Sequence, residues 1–262
     1  MAEIYEDKEQ TMIKASVYAI VMNEERHIER MLRSVADFAE IIIVDSGSTD
    51  ATLQIARKFT DKIYHHDWQG EGVQKNYAFS LCSNEWVLNL DGDEEVSPEL
   101  KGEIEEFMSQ SDYSALDIKF HEYSLGRKCS DLVRKNTHIR FFRKECGEYK
   151  NMGVHAQISI IKGAVKKSKF CINHFSEKPI AELVTKNNNY STLRAQGDFE
   201  KGKKPSLAKL LLIYPFAFFK SYILRRSLFD GRKGFITANI NAFYAFLKEA
   251  KLYEKYLKKG ED

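Results

Sequence analysis

Two groups of carboxylates stand where their spacing could support chemistry on a phosphorylated ligand. Asp91 and Asp93 flank Gly92 directly after the apolar run WVLNL, and Asp45 follows the apolar run EIIIV earlier in the chain. A diphosphate leaving group is doubly anionic, and a divalent cation that bridges its phosphates neutralises charge as the bond breaks. Because hard cations prefer carboxylate oxygens, the Asp-Gly-Asp triplet predicts a metal site. An isolated triplet of this kind is more often a solvated acidic turn. Here the triplet directly follows the predicted strand WVLNL, and this position favours the metal site.

The loop that follows the second apolar run, DSGSTD, predicts another contact point for a nucleotide. Asp45 at the end of a strand could accept hydrogen bonds from a base or a ribose, whereas Asp50 is better explained as a cap of the next helix. The loop contains neither G-x-G-x-x-G nor G-x-x-x-x-G-K-[ST]. The dinucleotide-binding and P-loop classes therefore lose support.

Alternating strands and helices must position these acids. The predicted buried strands are Ser16–Met22, Glu40–Val44, Lys62–His65 and Trp86–Leu90. The predicted helices between them are one capped by Asn23, with apolar residues at helical spacing from Ile28 to Ala39, then Thr52–Phe59, then one opened by Gly70 and Gly72 and ending near Leu81. This alternation predicts an α/β fold with a mostly parallel sheet flanked by helices, in which ligands bind at the carboxyl ends of the strands. Both acidic groups should therefore share one crevice.

The rest of the chain changes character twice. Ser97 is placed to cap a further helix, with Pro98 in its first turn. Shorter β-like runs follow, at Ala115–Phe120, His138–Arg143, Val154–Ile161 and Phe170–His174. Helical patterning then extends to the end of the chain.

Composition limits the class of protein. The 262 residues are 43% hydrophobic, enough for a sizeable core, and the net charge of +2 gives no sign of a nucleic-acid partner. The four cysteines form no CxxC pair, so we expect no zinc site. Their wide spacing is typical of a protein in a reducing cytosol, which we expect here. The acidic N-terminus predicts no secretory signal, and no run of about 18 uninterrupted apolar residues predicts a transmembrane helix.

Positive charge is concentrated near the C-terminus. Residues 201–233 carry nine basic side chains and one acid, while the remainder of the chain is acidic on balance. Within this segment Leu210–Phe219 is an apolar run bracketed by Lys209 and Lys220. Apolar residues between basic ones are typical of a helix that lies in the plane of an anionic membrane surface, which we expect here. A core helix with ordinary surface lysines is the alternative.

Four motifs, taken in order, carry a resemblance to a known family. The segments AIVMNEERHIERML, IIIVDSGSTDAT, GVQKNYA and WVLNLDGDEEVS resemble the family 2 glycosyltransferases, and are most similar to the bacterial lipopolysaccharide-core β-1,4-glucosyltransferase branch. The match is strong over 15–110 and continues less specifically through RFFRK, GVHAQ and NHF. It implies a GT-A fold with a flexible leader at 1–14, a donor-binding half at 15–110, an acceptor-side half at 111–176 and a basic, membrane-proximal helical extension at 177–262.

The resemblance also implies roles for individual residues. The implied contacts to a UDP-sugar donor are Asn23, Glu24, Glu25, Asp45, Gln74, Lys75, Asn76, Asp91 and Arg140. The implied ligands of Mg²⁺ or Mn²⁺ are Asp93, Asp91 and His174, although His174 could equally be a core histidine. Arg140 and Arg143 could counter the leaving diphosphate, and one of them is better explained as an exposed strand charge.

The activity that the resemblance implies is inverting transfer of a hexose, expected to be glucose, to a lipid-anchored saccharide such as lipopolysaccharide core. The enzyme would lie peripherally on the cytoplasmic face of the bacterial inner membrane. One departure matters, because the family reads Val-His-Glu where this chain has Val154, His155 and Ala156, and an alanine cannot accept the proton of the attacking hydroxyl.

Three hypotheses remain for this departure. The chain is a variant inactivated at Ala156, or the base is another residue, or the protein binds donor with little turnover. The candidates for another base are Glu94, Glu95, Asp131 and His155. Two other classes are weaker: a sugar-1-phosphate nucleotidyltransferase lacks its usual glycine-rich loop after the first strand, and a membrane scaffold leaves the acidic crevice unexplained.

Overall fold

The computed structural model describes residues 12–109, 112–149, 158–176 and 179–259. These residues form two compact units. The first unit contains the chain up to Glu122 together with Asn136–Phe175, and the second contains Tyr123–Lys135 together with the chain from Ser176 onward.

The strands and helices alternate through the first part of the chain. In chain order they are β1 (Ile13–Val21), α1 (Ile28–Ser34), β2 (Phe38–Asp45), α2 (Thr52–Ala56), β3 (Ile63–His65), α3 (Glu71–Leu81), β4 (Trp86–Asp91), β5 (Glu94–Val96), α4 (Pro98–Met108), β6 (Tyr113–Ser124), β7 (Arg127–Lys128), β8 (Thr137–Arg143), β9 (Gly147–Tyr149), β10 (Ile158–Ile160), β11 (Ala164–Ser176), α5 (Ile180–Glu200), α6 (Leu207–Phe219) and α7 (Gly231–Lys259). The α/β prediction is confirmed.

The main sheet has the order β3-β2-β1-β4-β8-β6-β11-β5. The pairs among β1, β2, β3 and β4 are parallel, as the alternating pattern predicts, whereas β8 joins β4 and β6 antiparallel. Asp45 lies opposite Val21 and Asp91 lies opposite Ile20, on the two sides of β1. Both acids therefore lie at the same edge of the sheet, where parallel strands end.

Apolar packing on both faces fixes the parallel strands in place. Val17, Ile43 and Leu88 are completely buried in one apolar cluster, and their strand neighbours Tyr18, Ile42 and Val87 are completely buried in a second. The ring of Trp86 at the start of β4 stacks on Phe141 of β8, with centroids 5.1 Å apart. This aromatic contact joins the parallel half of the sheet to the antiparallel half.

Helix boundaries differ from the sequence prediction at two places. The first helix begins at Ile28, not after Asn23, because Asn23 adopts a left-handed conformation at φ 57° and bonds to a neighbouring loop. Phe38 and Ala39 belong to β2, where Phe38 pairs with Ile13. The predicted Ser97 cap is confirmed, since its hydroxyl accepts a hydrogen bond from the Leu100 amide at 3.2 Å.

The second unit is mainly helical. Both α5 and α6 pack along α7, and Ala195, Leu252 and Tyr256 form a small buried core there. Tyr214 of α6 donates a hydrogen bond to Asn239 of α7 at 2.8 Å. Lys209 at the start of α6 forms an ion pair at 2.9 Å with the buried Glu249.

One helix of the second unit has the length and composition of a membrane span, although the sequence analysis predicts none. The helix α6 continues through a π-helical turn to Leu224, which gives an 18-residue stretch from Leu207 with mean hydropathy 1.5. Only Lys209 and Lys220 interrupt it, and 6% of it is buried. By length and composition it could cross a bilayer. Counting only uninterrupted apolar residues missed it, because a helix continues through a single lysine.

Candidate active site

A cavity of about 700 Å³ opens in the first unit beside the end of β4. Its lining residues come mainly from α3 and from the strands β4, β5, β6, β8 and β11. The lining residues are Glu71, Lys75, Asn89, Asp91, Glu94, Asp117, Phe120, Glu122, Asn136, Thr137, His138, Ile139, Arg140, Tyr149, Ile158, Val165 and His174. Most of them are polar or charged, which suits a hydrophilic ligand.

A buried ion network forms one wall of the cavity. The Asp91 carboxylate lies 3.1 Å from the Lys75 ammonium and 2.9 Å from the Arg140 guanidinium. The same Arg140 nitrogen donates to Glu94 at 2.6 Å, and its other terminal nitrogen donates to Asn89 at 2.5 Å. Lys75 and Arg140 are only 5% and 8% exposed. Two cations are therefore held at the cavity wall by protein carboxylates.

The elements bring these groups together by their geometry. Asn89 and Asp91 lie on the same face of β4, two residues apart, and Arg140 reaches them from the adjacent antiparallel strand β8. Lys75 comes from α3, one turn after Glu71, with which it pairs at 2.9 Å. Arg140 is therefore bonded to two side chains of β4. It is buried, so the prediction of an exposed strand charge does not apply to it.

The network separates the protonation behaviour of its two carboxyl groups. Burial alone would raise the pKa of Asp91, but Arg140 and Lys75 hold that pKa far below its usual range. Burial raises the pKa of Glu94 to about 7; Arg140 acts in the opposite direction, and repulsion from Asp91 adds to the rise. Asp91 is therefore a fixed anion, whereas Glu94 can hold or release a proton near neutral pH.

A second group lies next to this network. His174 Nε2 on β11 is 3.3 Å from the Asp93 carboxylate, and its Nδ1 is 2.7 Å from the Glu122 carboxylate. Antiparallel pairing places His174 opposite Glu94, beside the loop that carries Asp93. Burial would lower the pKa of His174, but the two carboxylates raise it to about 11. Burial would raise the pKa of Asp93, but the imidazolium of His174 lowers it below its usual value.

These two side chains fit a divalent cation that is shared with a phosphorylated ligand. Asp93 offers a carboxylate oxygen, and His174 would offer an imidazole nitrogen once a metal displaces its proton. Glu122, bonded to the other ring nitrogen, is the kind of partner that orients a metal-binding histidine. Asp91 is less suited, because both its oxygens face cations. Within the described residues no group of three or more acidic, histidine or cysteine side chains could hold a metal alone. Further ligands would have to come from substrate and water.

Asp45 lies at the predicted sheet edge but outside the cavity lining. It is 3% exposed, and its carboxylate accepts hydrogen bonds from the Gly47 amide at 2.9 Å and from the Ser48 amide at 3.0 Å. It therefore closes its own turn. Nothing in this geometry brings it against Asp91 or Asp93, so its contact with a nucleotide stays a prediction.

The loop after β1 is bound to the loop after β2. The Asn23 amide oxygen accepts from the Thr49 amide at 2.8 Å, and the Glu25 carboxylate accepts from the Ala51 amide at 3.0 Å. Glu24 packs over Gly92, where an added Cβ would lie 2.9 Å from its Cγ. The loop that sequence assigns to the donor therefore abuts the Asp-Gly-Asp turn.

Gln74 has a similar connecting role. Its buried amide nitrogen donates to Ser46 and to the His66 carbonyl, both at 2.7 Å, so it links the loops after β2 and β3. Asn76, on the same helix, is half-buried and outside the cavity lining. Of the predicted donor residues, the cavity wall contains Lys75, Asp91 and Arg140, and of the predicted metal ligands it contains Asp91 and His174.

Several cavity residues escape the sequence analysis. They are Asp117, Phe120 and Glu122 on β6 and Asn136, Thr137 and His138 around the start of β8. The pairing of β6 with β8 shifts register between Leu116 and Asp117, so simple alternation misassigns which residues face the cavity. His155 and Ala156 lie outside the described residues, and the hypotheses on that position stay open.

Comparison with known proteins gives the family. Residues 16–165 match the sequence model of the family "Glycosyl transferase family 2". The lipopolysaccharide core biosynthesis glycosyltransferase LpsC of Rhizobium meliloti is 32% identical over 254 residues, which cover 94% of each chain. An uncharacterized glycosyltransferase of Rickettsia felis is 36% identical over 260 residues, which cover 94% of this chain and 92% of that one.

A solved structure supports the fold assignment. The mannosyltransferase PcManGT of Pyrobaculum calidifontis, in complex with GDP-Man and Mn²⁺, aligns with a TM-score of 0.55 at 13% identity, over 92% of this chain and 87% of that chain. The likeness shows a shared GT-A fold, as the sequence motifs imply. With the family match over more than half of its length, the chain belongs to glycosyltransferase family 2.

Proposed function

We propose that this protein is a metal-dependent, inverting hexosyltransferase that takes a sugar, glucose in the first instance, from a UDP-sugar and places it on a lipid-anchored saccharide of the cell envelope. Family membership supports sugar transfer. The similarity to LpsC, whose name assigns it to lipopolysaccharide core biosynthesis, supports the acceptor class. The UDP donor rests on the resemblance of the strand-end motifs.

The charge of the cavity is the observation that carries the metal requirement. Five carboxyl groups line it, against the two permanent cations Lys75 and Arg140 and the imidazolium of His174. Asp91 and Glu94 already pair with those two cations. A doubly anionic diphosphate would therefore enter an unfavourable potential unless a divalent cation came with it.

Asp93 and His174 are the residues that would hold that cation. When bound, Mg²⁺ or Mn²⁺ neutralises the charge that develops on the diphosphate as the glycosidic bond breaks. Lys75 and Arg140 would hold Asp91 in a fixed orientation beside this cation, and because both are buried and already paired they need no rearrangement to do so.

Nucleotide recognition is assigned to the loops at the ends of β1 and β2. Asn23, Glu24, Glu25 and Asp45 would contact the base and the ribose, and Gln74 and Asn76 would support them from α3. The hydrogen bonds between these loops support the proposal, because they hold the polar groups in one rigid surface next to Gly92. Asp91 would then contact the ribose, not the metal.

A thermal-shift panel tests the donor and the metal together. UDP-glucose, UDP-N-acetylglucosamine, UDP-galactose, GDP-mannose and CMP-sialic acid would each be added with and without Mn²⁺. We expect the largest stabilisation from a UDP-sugar with Mn²⁺, since only a ligand that binds the folded state shifts the unfolding equilibrium. Equal shifts for all five nucleotide sugars would reject the UDP assignment, and equal shifts without the metal would reject metal dependence.

Transfer itself is measured with a truncated lipopolysaccharide core as acceptor. Radiolabelled UDP-glucose should yield labelled lipopolysaccharide with the anomeric configuration inverted. Labelled product with retained configuration would contradict the inverting mechanism while leaving the donor assignment intact.

The second unit is proposed to hold the enzyme on the cytoplasmic face of the inner membrane. Leu211, Leu212 and Phe216 are 66%, 64% and 62% exposed along one face of α6. The other face of α6 is bonded to α7 through Tyr214 and Lys209, which favours a helix lying in the leaflet plane over one that spans the bilayer. Lys203, Lys204, Arg225 and Arg226 at its two ends would face anionic headgroups.

A second candidate, which Ala156 favours, is a sugar-nucleotide-binding protein that is catalytically weak or has been inactivated at this position. If the chain is a variant inactivated at Ala156, Ala156→Glu should raise the transfer rate by roughly 10²–10⁴-fold, the usual scale of general-base catalysis. Equal rates for the two forms would reject it.

A further inference from the structure

We propose that His138 is the general base that takes the proton from the acceptor hydroxyl. The proposal deepens the transferase function and rests on it. His138 lies on β8, two residues before Arg140, and its exposed ring lines the cavity. Arg140, whose guanidinium contacts Asp91, lines the same cavity.

The other proton acceptors of the cavity are already engaged. Asp91, Glu94 and Glu71 pair with Lys75 or Arg140. Glu122 pairs with His174 at 2.7 Å, and Asp117 accepts a hydrogen bond from Thr137 at 2.9 Å. A carboxylate that is bound to a cation is in general a weaker base, because the cation favours its charged form. Glu94, whose pKa is raised by burial, is 2% exposed, and its two oxygens already accept hydrogen bonds from Arg140 and from the Asp91 amide.

His138 differs from them in having no such partner. Among the described residues, neither ring nitrogen of His138 makes a hydrogen bond. The ring packs edge-to-face on Phe120, with centroids 5.4 Å apart. Phe120 is 3% exposed, so this contact orients the imidazole on a fixed surface while leaving its nitrogens available to a ligand.

The surroundings keep this imidazole neutral. Partial burial and then the charge of Arg140 lower the pKa of His138, with a further decrease from Lys75, while Asp117 and Asp91 act in the opposite direction. At neutral pH the ring therefore carries a free lone pair and can accept a proton. On acidification it becomes an imidazolium and loses this ability.

The step balances as an inverting displacement. The acceptor hydroxyl gives its proton to a ring nitrogen of His138 as its oxygen forms a bond to the anomeric carbon. The bond from that carbon to the diphosphate oxygen breaks, and its electron pair leaves with UDP. The imidazolium then returns its proton to solvent.

The test compares wild type with His138→Gln and Asp117→Asn, using UDP-glucose and truncated lipopolysaccharide core between pH 5 and 9. For His138→Gln we expect kcat to fall roughly 10²–10⁴-fold and the acidic limb of the wild-type pH profile to disappear. The thermal shift with UDP and Mn²⁺ should match wild type, which separates loss of the base from loss of folding or donor binding.

Three outcomes would overturn the proposal. His138→Gln could keep the wild-type rate and acidic limb, Asp117→Asn could remove that limb instead, or Ala156→Glu could raise the wild-type rate 100-fold or more, on the scale of a missing base. With a base already present we expect less than a roughly tenfold gain from Ala156→Glu. A wild type that transfers no sugar and hydrolyses no UDP-sugar would instead reject the proposed function, and the His138 assignment with it.

Discussion

At the scale of single residues, Arg140 organises the candidate site. One guanidinium contacts Asn89, Asp91 and Glu94, and these three side chains come from the end of β4 and the start of β5. Its planar fork of donors suits this arrangement better than the single ammonium of a lysine would. Arg140 therefore holds these side chains in place and also keeps Asp91 ionised.

Removing this cation should destabilise the fold. Arg140→Gln leaves Asp91 and Glu94 without their shared partner in a buried position, and breaking a buried ion pair costs about 3–5 kcal/mol. Urea denaturation at pH 7 measures the change. Arg143→Gln on the same strand is the matched control, because its partner Glu85 is exposed, and an exposed pair contributes roughly 0–1 kcal/mol. Equal losses for the two variants would contradict the central role of Arg140.

The metal assignment predicts a specific loss at Asp93. Asp93→Asn should remove most of the additional stabilisation that Mn²⁺ gives in the presence of UDP, because an amide is a much poorer ligand than a carboxylate for a hard cation. Thermal shifts at a series of Mn²⁺ concentrations measure this, with the exposed Asp61→Asn as control. A Mn²⁺ response that survives the Asp93 change would place the metal elsewhere.

At the scale of elements, a buried carboxylate ties the opposite end of the parallel strands together. Glu40 on β2 accepts hydrogen bonds from Ser16 of β1 and from Lys62, and also from the amide of Ser83 at 2.7 Å. Although burial opposes it, these donors lower the pKa of Glu40 to about 2. The end of the sheet away from the cavity is thereby fixed.

Glu40 therefore predicts a pH dependence of stability. Its pKa is lower in the folded state than the ordinary value of 4.5, so its contribution is complete above that value and is lost as the pH falls towards about 2. A shift of this size corresponds to about 3 kcal/mol at neutral pH. Urea denaturation of wild type and Glu40→Gln between pH 7 and 3 checks this, and the difference should shrink on acidification. A pH-independent difference would contradict it.

Sequence predicted the parallel half of the sheet well and the antiparallel wall poorly. Continuous apolar runs such as EIIIV identify buried strands and place Asp45 and Asp91 at one edge. The opposite wall depends on which residues of β6 face β8, and the register shift at Asp117 changes that without leaving a mark in the composition. His138 likewise carries no motif, and only its place in the cavity lining makes it a candidate.

At the scale of the whole molecule, each of the two units has its own proposed task. The first unit contains the cavity. In the second unit, α6 packs on α7 with one face and exposes apolar side chains on the other. Sequence predicted a basic, helical C-terminal region, but it could not show which face of α6 is left exposed.

The exposed face predicts binding to anionic vesicles. Burying a leucine or phenylalanine side chain in an apolar environment contributes roughly 1.5–3 kcal/mol, so Leu211→Ser with Phe216→Ser should weaken binding to phosphatidylglycerol vesicles at least tenfold. Leu193→Ser on α5 is the matched control, because Leu193 is 53% exposed but lies off α6. Vesicle sedimentation measures the change, and an equal loss in the control would reject α6 as the contact.

The proposed contact between α6 and the membrane would also have a kinetic consequence. A catalyst adsorbed on a lipid sheet meets its acceptor by diffusion in two dimensions, so its velocity follows the mole fraction of acceptor in that sheet and not the bulk molarity. Diluting the glycolipid with inert phospholipid, at constant total acceptor, should slow turnover, whereas a water-soluble fragment of the same saccharide should show no such decline.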